Sequence, residues 1–218
     1  MPRALFEKVE SARFISHLDL MRLFQRAFKR AGLPLTHTQG FNPRPSVSIA
    51  LPLSLGVESH CELLDFDLEQ QTAPEEIRER LNPALINGIR VREVYSQGEK
   101  IKNLALLQSH LILEYDRGIP EGAGEALRQL FSRQELTVEK KNKNGVSQQD
   151  IIPLIRTLEI SGISERELRL DLLHCCQNPA LNPMQLGAAI AKYLPELTAD
   201  YIRCCRDEIY TEAKTVFR

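Results

Sequence analysis

The sequence predicts an α+β protein with two tandem ferredoxin-like (βαββαβ) domains, each an antiparallel sheet with its helices on one face. Three observations predict this fold class. The 218 residues suffice for two small domains. Segments with the two-residue alternation of strands stand between segments with helical periodicity. The order strand-helix-strand-strand-helix-strand fits the first part of the chain and recurs, with an extra strand or hairpin, in the rest.

The predicted domain boundaries follow from a short polar segment. Gly98 to Asn103 lacks periodicity, so we predict a linker at 98–104. The N-terminal domain then spans 1–97 and the C-terminal domain spans 105–218, with the extra strand or hairpin in the second.

The first domain contains one helix with clear end signals. Ser16 is a typical N-cap residue, and Gly32 with Pro34 is typical of a helix end. Right-handed crossovers would place both helices on one face of the sheet, which leaves the opposite face open to bind a partner. The predicted elements are a strand at 3–9, a helix at 16–31, strands at 46–51 and 61–68, a helix at 74–86 and a strand at 89–94.

The second domain repeats this plan around a hairpin. Asn144-Gly145 is a strong type I′ turn signal between two strand-like segments, and Pro183 suits the first turn of a helix. The predicted elements are strands at 109–115, 136–143, 146 onward, 151–160, 167–175 and 201–211, and helices at 124–131 and from 182.

Composition limits the class of protein and its location. A hydrophobic share of 43% with 26% charged residues is typical of a folded globular chain. No apolar run approaches the length of a membrane span, and residues 1–15 lack the apolar core of a secretory signal. Five cysteines without regular spacing are a poor disulfide framework. We therefore expect a cytoplasmic protein without a membrane partner.

The motif search predicts neither a cofactor nor a metal site. The sequence contains no phosphate loop, GxGxxG, CxxC, HExxH or GxSxG motif. Cys175-Cys176 and Cys204-Cys205 are adjacent pairs, and neighbours in a strand point to opposite faces, which disfavours an iron–sulfur cluster. Nucleotide hydrolases, Rossmann oxidoreductases and zinc ribbons are therefore not leading interpretations.

The near-neutral net charge hides a basic N-terminal region. Residues 1–50 carry eight basic and three acidic side chains, a net charge of +5, whereas residues 51–98 have a net charge of −5. One helix face is basic, and the loop after it combines Gly and Pro with an aromatic side chain and an arginine, a set that suits a phosphate or a base. The predicted binding residues are Arg13, His17, Arg22, Arg26, Lys29, Arg30, Gln39, Phe41, Asn42 and Arg44.

Two structural alternatives to binding stay open here. The basic residues are also compatible with ordinary solvated surface, and the loop with a rigid turn in which Phe41 fills the core and Asn42 caps a neighbour. For an enzymatic alternative, the candidate catalytic residues are His17, at a helix N-terminus, Asp19 and Asp65.

A resemblance to a known family rests on these segments: Arg13–Arg22, Arg30–Pro34, Gln39–Pro43, Pro52-Leu53, Leu55–Ser59, and Glu62 with Asp65. They resemble the radical-SAM-linked (radical-SAM-associated) protein family, a bacterial domain of unknown function. Two departures stand out: Arg44 occupies a place where this family has His, and His37-Thr38 replaces an aromatic-Ser pair. The first departure puts an imidazole-based catalytic role at that position in doubt and leaves a binding role intact.

The resemblance implies a partner more than a reaction. Family members are encoded beside, or fused to, a radical-SAM iron–sulfur protein, often near genes for ribosomes and RNA processing. This chain lacks the CxxxCxxC motif of the radical generator. The leading hypothesis is therefore a non-catalytic accessory protein that binds the substrate of a radical-SAM enzyme, with RNA as that substrate, through the basic face of residues 13–45.

Two other functions stay open. One is an RNA-processing or RNA-modifying enzyme, ribonuclease-like or pseudouridine-synthase-like, that uses His17 or an aspartate; the basis for it is fold analogy alone. The other is a module that only docks on a protein.

Overall fold

The computed structural model describes residues 1–142, 145–177 and 179–218, and it has the α+β architecture that the sequence predicts. Within these residues there are four α-helices, and the strand pairs described below are all antiparallel. The chain divides into two compact units: unit 1 is residues 1–103 with 216–218, and unit 2 is residues 104–215. The antiparallel α+β class is confirmed, and the assignment to tandem ferredoxin-like domains stays a prediction. No helix in the described part of the chain is long and apolar enough to cross a membrane.

Unit 1 is a four-stranded sheet in the order β4-β1-β3-β2. The central strands β1 and β3 pair with each other, β4 pairs with β1, and β2 pairs with β3. Because β2 does not pair with β1, α1 connects two strands that are not neighbours. The elements are β1 (Arg3–Lys8), α1 (His17–Arg30), β2 (Val47–Ile49), β3 (Glu58–Phe66), α2 (Pro74–Leu81) and β4 (Ile89–Tyr95).

The second helix is shorter than predicted, because α2 ends at Leu81 rather than at residue 86. Pro83 lacks the backbone N–H that another helical turn requires, and residues Asn82–Ala84 form a 3₁₀ turn instead. The Asn82 side chain donates to the Val91 carbonyl and accepts from the Val91 amide, so it pairs with β4 where the helix stops.

An aromatic core attaches α1 to this sheet. Phe24 packs edge-on against Phe6 of β1 with ring centroids 4.8 Å apart, and Phe28 packs against Phe66 of β3 at 4.9 Å. All four rings are fully buried. Burial of four aromatic side chains contributes several kcal/mol to stability, and it fixes which side of α1 faces the solvent.

The other face of the unit 1 sheet is buried along its central strands, so the prediction of an open face is wrong here. Arg3 is 2% exposed, and its guanidinium donates to both carboxylate oxygens of Asp65, at 2.6 and 2.9 Å. The same guanidinium lies 5.3 Å from the ring of Phe217. Leu5 and Leu63 share this face and are also buried.

Unit 2 has the strand order β10-β5-β9-β8 and a separate β6-β7 hairpin. The predicted hairpin is confirmed, because Asn142 of β6 pairs with Gly145 of β7; Asn144, the other residue of the predicted turn, lies outside the described residues. The strand β5 begins at Leu104 rather than at 109, since Leu104 pairs with Thr211 and is buried. The elements are β5 (Leu104–Glu114), α3 (Ala123–Phe131), β6 (Thr137–Asn142), β7 (Gly145–Asp150), β8 (Ile155–Gly162), β9 (Glu167–Cys175), α4 (Met184–Tyr193) and β10 (Tyr201–Thr211).

A neutral histidine lies in the core of unit 2. His174 of β9 is fully buried, with Nε2 3.1 Å from the Ser109 hydroxyl and Nδ1 3.3 Å from the Cys175 carbonyl. These partners suit an imidazole that donates from Nδ1 and accepts at Nε2. Removal from water lowers the pKa of His174 to about 4.

We expect unit 2 to lose stability as the pH falls from about 6.5 to about 4. Above pH 6.5 His174 is neutral in the folded and in the unfolded chain. Below pH 6.5 the unfolded chain binds a proton at His174, whereas the folded chain binds it only near pH 4. The difference is worth about 3 kcal/mol across this window. Urea unfolding at a series of pH values measures this loss. In His174→Gln the free energy of unfolding should depend less steeply on pH than in the wild type. An unchanged slope in this variant would contradict the assignment.

The close approach of Gly98 to Arg3 gives a second prediction. A Cβ at Gly98 would overlap the Arg3 guanidinium, which Asp65 holds in place. We therefore expect Gly98→Ala to lower the free energy of unfolding by about 1–3 kcal/mol, measured by urea denaturation. Gly162→Ala is the matched control, because no atom lies near its Cβ and its φ is not positive. Equal stability of the two variants would show that Arg3 moves at little cost.

Candidate nucleic-acid interface

The N-terminus of α1 is capped as the sequence predicts. The Ser16 hydroxyl accepts from the Asp19 amide at 3.2 Å and donates to the Asp19 carboxylate at 2.7 Å. Asp19 also accepts from Arg22 at 3.0 Å. The hydrogen bonds from Ser16 and then Arg22 lower the pKa of Asp19 below its ordinary value. The Asp19 carboxylate therefore acts as a cap and a partner of Arg22, and it stays ionised.

Arg13 and His17 lie at this same end of α1. Buried Lys8 donates to the carbonyls of Arg13 and Ile15, which fixes the segment that leads into the helix. The Arg13 guanidinium lies 4.9 Å from the ring of Phe14 and 3.4 Å from the Glu58 carboxylate. Arg13 is thus mostly engaged within the protein, whereas His17 is half-buried as the first residue of α1.

The four basic residues of α1 are all exposed, but they are not equivalent. Arg22 is paired with Asp19, and the Arg30 guanidinium donates to the Ala84 carbonyl. Within the described residues, neither Arg26 nor Lys29 has a carboxylate within salt-bridge distance. Two cations of the predicted row are therefore available to a ligand without breaking an ion pair.

The loop after α1 is closed at its base and exposed at its tip. The Thr36 amide donates to the Asp67 carbonyl and the Ser46 amide to the Thr36 carbonyl, at 3.0 and 2.8 Å. Further out, the Thr38 amide donates to the Arg44 carbonyl at 2.8 Å, and the Arg44 amide donates to the Thr38 hydroxyl at 3.0 Å. These bonds hold residues 39–43 as a projecting tip.

Phe41 lies at this tip and is fully exposed, at 106% of its reference area. It therefore does not fill the core, which removes the alternative of a structural plug. Gln39, Asn42 and Arg44 are also exposed. The ring of Phe41 is therefore available to stack on a flat ligand such as a base.

A cavity of about 410 Å³ lies between the C-terminal half of α1 and the base of this loop. Its size falls in the range of small-ligand pockets. Its floor is apolar, and its lining also includes a lysine, a histidine and a glutamate. The lining residues that matter here are Phe28, Lys29, Leu33, Leu35, His37 and Glu69.

The structure does not bring the three candidate catalytic residues together. His17 and Asp19 belong to α1, which packs on the sheet face that contains Phe6 and Phe66. Asp65 lies on the other face, where it binds Arg3. A shared proton-transfer site of His17 with Asp65 is therefore not formed.

One basic residue of the surface is absent from the sequence prediction. Arg80 of α2 donates to the carbonyls of Ala31 and Gly32, the two residues that follow the last residue of α1. It also donates to the Glu76 carboxylate, at 2.7 Å. Because α2 contains more acidic than basic residues, its sequence does not indicate a basic surface. The position of Arg80 follows only from the packing of α2 beside the end of α1.

The cysteines are thiols with little exposure. All five belong to the described residues, and none forms a disulfide. Cys204 and Cys205 pair with Leu111 and His110 respectively, so they point to opposite faces of β10. Burial raises the pKa of Cys204 and of Cys176 to about 12, which keeps both thiols protonated at neutral pH.

Residues 2–183 match the sequence model of a family described as an uncharacterized protein conserved in bacteria (DUF2344). No curated protein matches the chain. Together these two comparisons indicate a family but no activity.

Solved structures show a likeness of fold. A chain in the crystal structure of a Cbf5-Nop10-Gar1 complex is similar with a TM-score of 0.52 and 9% identity, over 97% of this chain and 50% of that one. The present chain therefore spans about half the length of that relative. An unknown protein from Galdieria sulphuraria is similar at 11% identity and a TM-score of 0.26, over 94% of this chain and 96% of that one, which carries no argument.

Proposed function

The chain belongs to the DUF2344 family of uncharacterized proteins conserved in bacteria, and we propose that it is a non-catalytic accessory protein that binds RNA through unit 1. The proposed binding surface comprises the basic face of α1, the 36–45 loop and the cavity between them. The proposed recipient of this RNA is a radical-SAM enzyme, as the family resemblance implies. We also assign each unit to the ferredoxin-like class, which its strand order favours.

The observation that carries the proposal is the exposed Phe41 at the tip of a loop whose base adjoins Lys29. Single-stranded RNA is bound by a groove that combines cations for the backbone with aromatic rings on which bases stack. Arg26 and Lys29 supply cations without carboxylate partners among the described residues, and Phe41 supplies a ring. Arg44 lies on the same loop, where its guanidinium suits a phosphate.

The cavity gives this surface a place for a single base. A nucleobase is flat and largely apolar on its faces, and Phe28, Leu33 and Leu35 line the cavity with apolar atoms. Lys29 and His37 can donate to base or phosphate oxygens at the rim. Glu69 repels phosphate, so a base edge that donates a hydrogen bond suits that side of the cavity.

The catalytic alternative has less support, because both of its candidate carboxylates have structural partners. Asp19 caps α1 and pairs with Arg22, and Asp65 is bound by Arg3 through two hydrogen bonds.

Protein docking is a second candidate that one observation favours. Phe14, Leu18 and Leu55 are each more than half exposed, and they belong to the N-terminal end of α1 and the adjoining loop. The Gly56 amide donates to the Arg13 carbonyl, which holds this loop beside the helix entry. An apolar patch of this kind suits the proposed radical-SAM partner, and it lies at the opposite end of α1 from Lys29.

We expect RNA binding to be salt-sensitive and to depend on α1. Replacement of Arg22, Arg26 and Lys29 by Ala should reduce the slope of log affinity against log salt by about 1.4–2, since each lost phosphate contact to a single strand is worth about 0.7 and Arg22 is already paired with Asp19. Fluorescence anisotropy with a labelled single-stranded RNA measures it. The matched control replaces Arg90, Arg117 and Arg166, which are also exposed and belong neither to α1 nor to the 36–45 loop. The same slope in both triple variants would contradict the proposal.

Phe41→Ala separates stacking from charge. Loss of one stacked base costs about 1–3 kcal/mol, so affinity should fall roughly tenfold or more while the salt slope stays unchanged. Phe14→Ala, which removes an exposed ring at the other end of α1, should leave RNA affinity unaltered. An effect of Phe14→Ala on RNA binding with none from Phe41→Ala would place the interface elsewhere.

A further inference from the structure

Pairing of β5 with β10 brings a histidine, a cysteine and an aspartate together on one face of the unit 2 sheet. Cys205 lies directly opposite His110, and Asp207 follows two residues later on β10. The ring nitrogen of His110, the sulfur of Cys205 and a carboxylate oxygen of Asp207 all lie within 4.8 Å of one another. His110 Nδ1 is 2.8 and 3.0 Å from the two Asp207 oxygens.

We propose that His110, Cys205 and Asp207 form a binding site for a divalent transition-metal ion of the zinc class. Imidazole nitrogen, thiolate sulfur and carboxylate oxygen are the three ligand types that zinc takes in proteins. Magnesium and calcium take oxygen ligands and do not favour a thiolate. This proposal is independent of RNA binding, because its residues all belong to unit 2.

The spacing of the three side chains suits a tetrahedral ion. Zinc bonds of about 2.0–2.3 Å place neighbouring ligand atoms about 3.3–3.8 Å apart. The separations here bracket that range: His110 and Asp207 are closer, at hydrogen-bond distance, and the widest pair is within 4.8 Å. Small side-chain rotations that open the His110–Asp207 contact would therefore seat an ion between the three groups.

The burial of the three ligands gives the ion both an anchor and an entry path. Cys205 is 4% exposed, whereas the side chains of His110 and Asp207 are 19% and 26% exposed. A metal ion would approach past the imidazole and carboxylate and meet the sulfur last. Binding releases the thiol proton, since the thiolate is the ligand.

The Arg169 guanidinium of β9 lies near this cluster and is hydrogen-bonded to a different carboxylate. Arg169 of β9 donates from Nε to both oxygens of Asp171, at 2.9 and 2.8 Å, so this pair is internally neutralised. Asp171 is in turn the register partner of His110 on β5. Asp207 attracts Arg169 electrostatically, and both of its carboxylate oxygens lie at hydrogen-bond distance from His110.

Three protein ligands leave a fourth position open, which is the arrangement of catalytic rather than structural zinc sites. A cavity of about 330 Å³ lies on the same sheet face, lined by Gln108, Asp171 and Tyr210 among others. Gln108 is two residues from His110 along β5, and Asp171 of β9 is the register partner of His110.

Cobalt titration of the reduced full-length protein tests the proposal. Co²⁺ substitutes for zinc, and a cobalt–thiolate bond gives a near-ultraviolet charge-transfer band. We expect one equivalent of Co²⁺ to produce this band and zinc to abolish it. Cys205→Ser should remove the band, and Asp207→Asn should weaken binding at least tenfold. Circular dichroism of each variant checks that it is folded.

Cys204→Ala is the matched control, because Cys204 is adjacent to Cys205 but points to the other face of β10. It should keep the band and the stoichiometry. No band in the wild-type protein would overturn the proposal and leave His110–Asp207 as an internal hydrogen-bonded pair. A band that persists in Cys205→Ser would also overturn it, since another cysteine would then be the ligand. RNA affinity should be the same with and without the ion.

Discussion

The packing of α1 on the unit 1 sheet is the contact on which the proposed RNA surface depends. Phe24 on Phe6 and Phe28 on Phe66 fix the rotation of the helix about its axis. With 3.6 residues per turn, that rotation leaves Arg26 and Lys29 in solvent whatever their own preferences. A hydrophobic constraint therefore determines where the charges point. Loss of the aromatic packing would disrupt the basic surface even if every cation were kept.

The loop after α1 is held by a different kind of force. Its base is closed by backbone hydrogen bonds of Thr36 and Ser46, and its middle by those between Thr38 and Arg44. None of these bonds involves Phe41, so the ring at the tip contributes nothing to folding. The loop geometry thus leaves an aromatic side chain exposed, which the proposed stacking on a base requires.

The sequence predicts element types well because they depend on local pattern. The strand Glu167–Cys175 and the Ser16 cap follow from alternation and capping chemistry, and the structure has both. Exposure of Phe41 and the bond from Arg30 to Ala84 depend on packing between distant segments, which no local pattern encodes. The His110 cluster arises only from strand pairing, so a search for spaced motifs finds no metal site there.

The two units use one strand order for different purposes. In unit 1 the sheet face away from α1 is filled by Arg3, Leu5 and Leu63, so the candidate interface lies on a helix and a loop. In unit 2, β5 and β10 carry partly exposed His110 and Asp207, so the candidate site lies on the sheet itself. The same order of strands therefore fixes the positions available for chemistry but not the chemistry, which follows from the side chains at those positions.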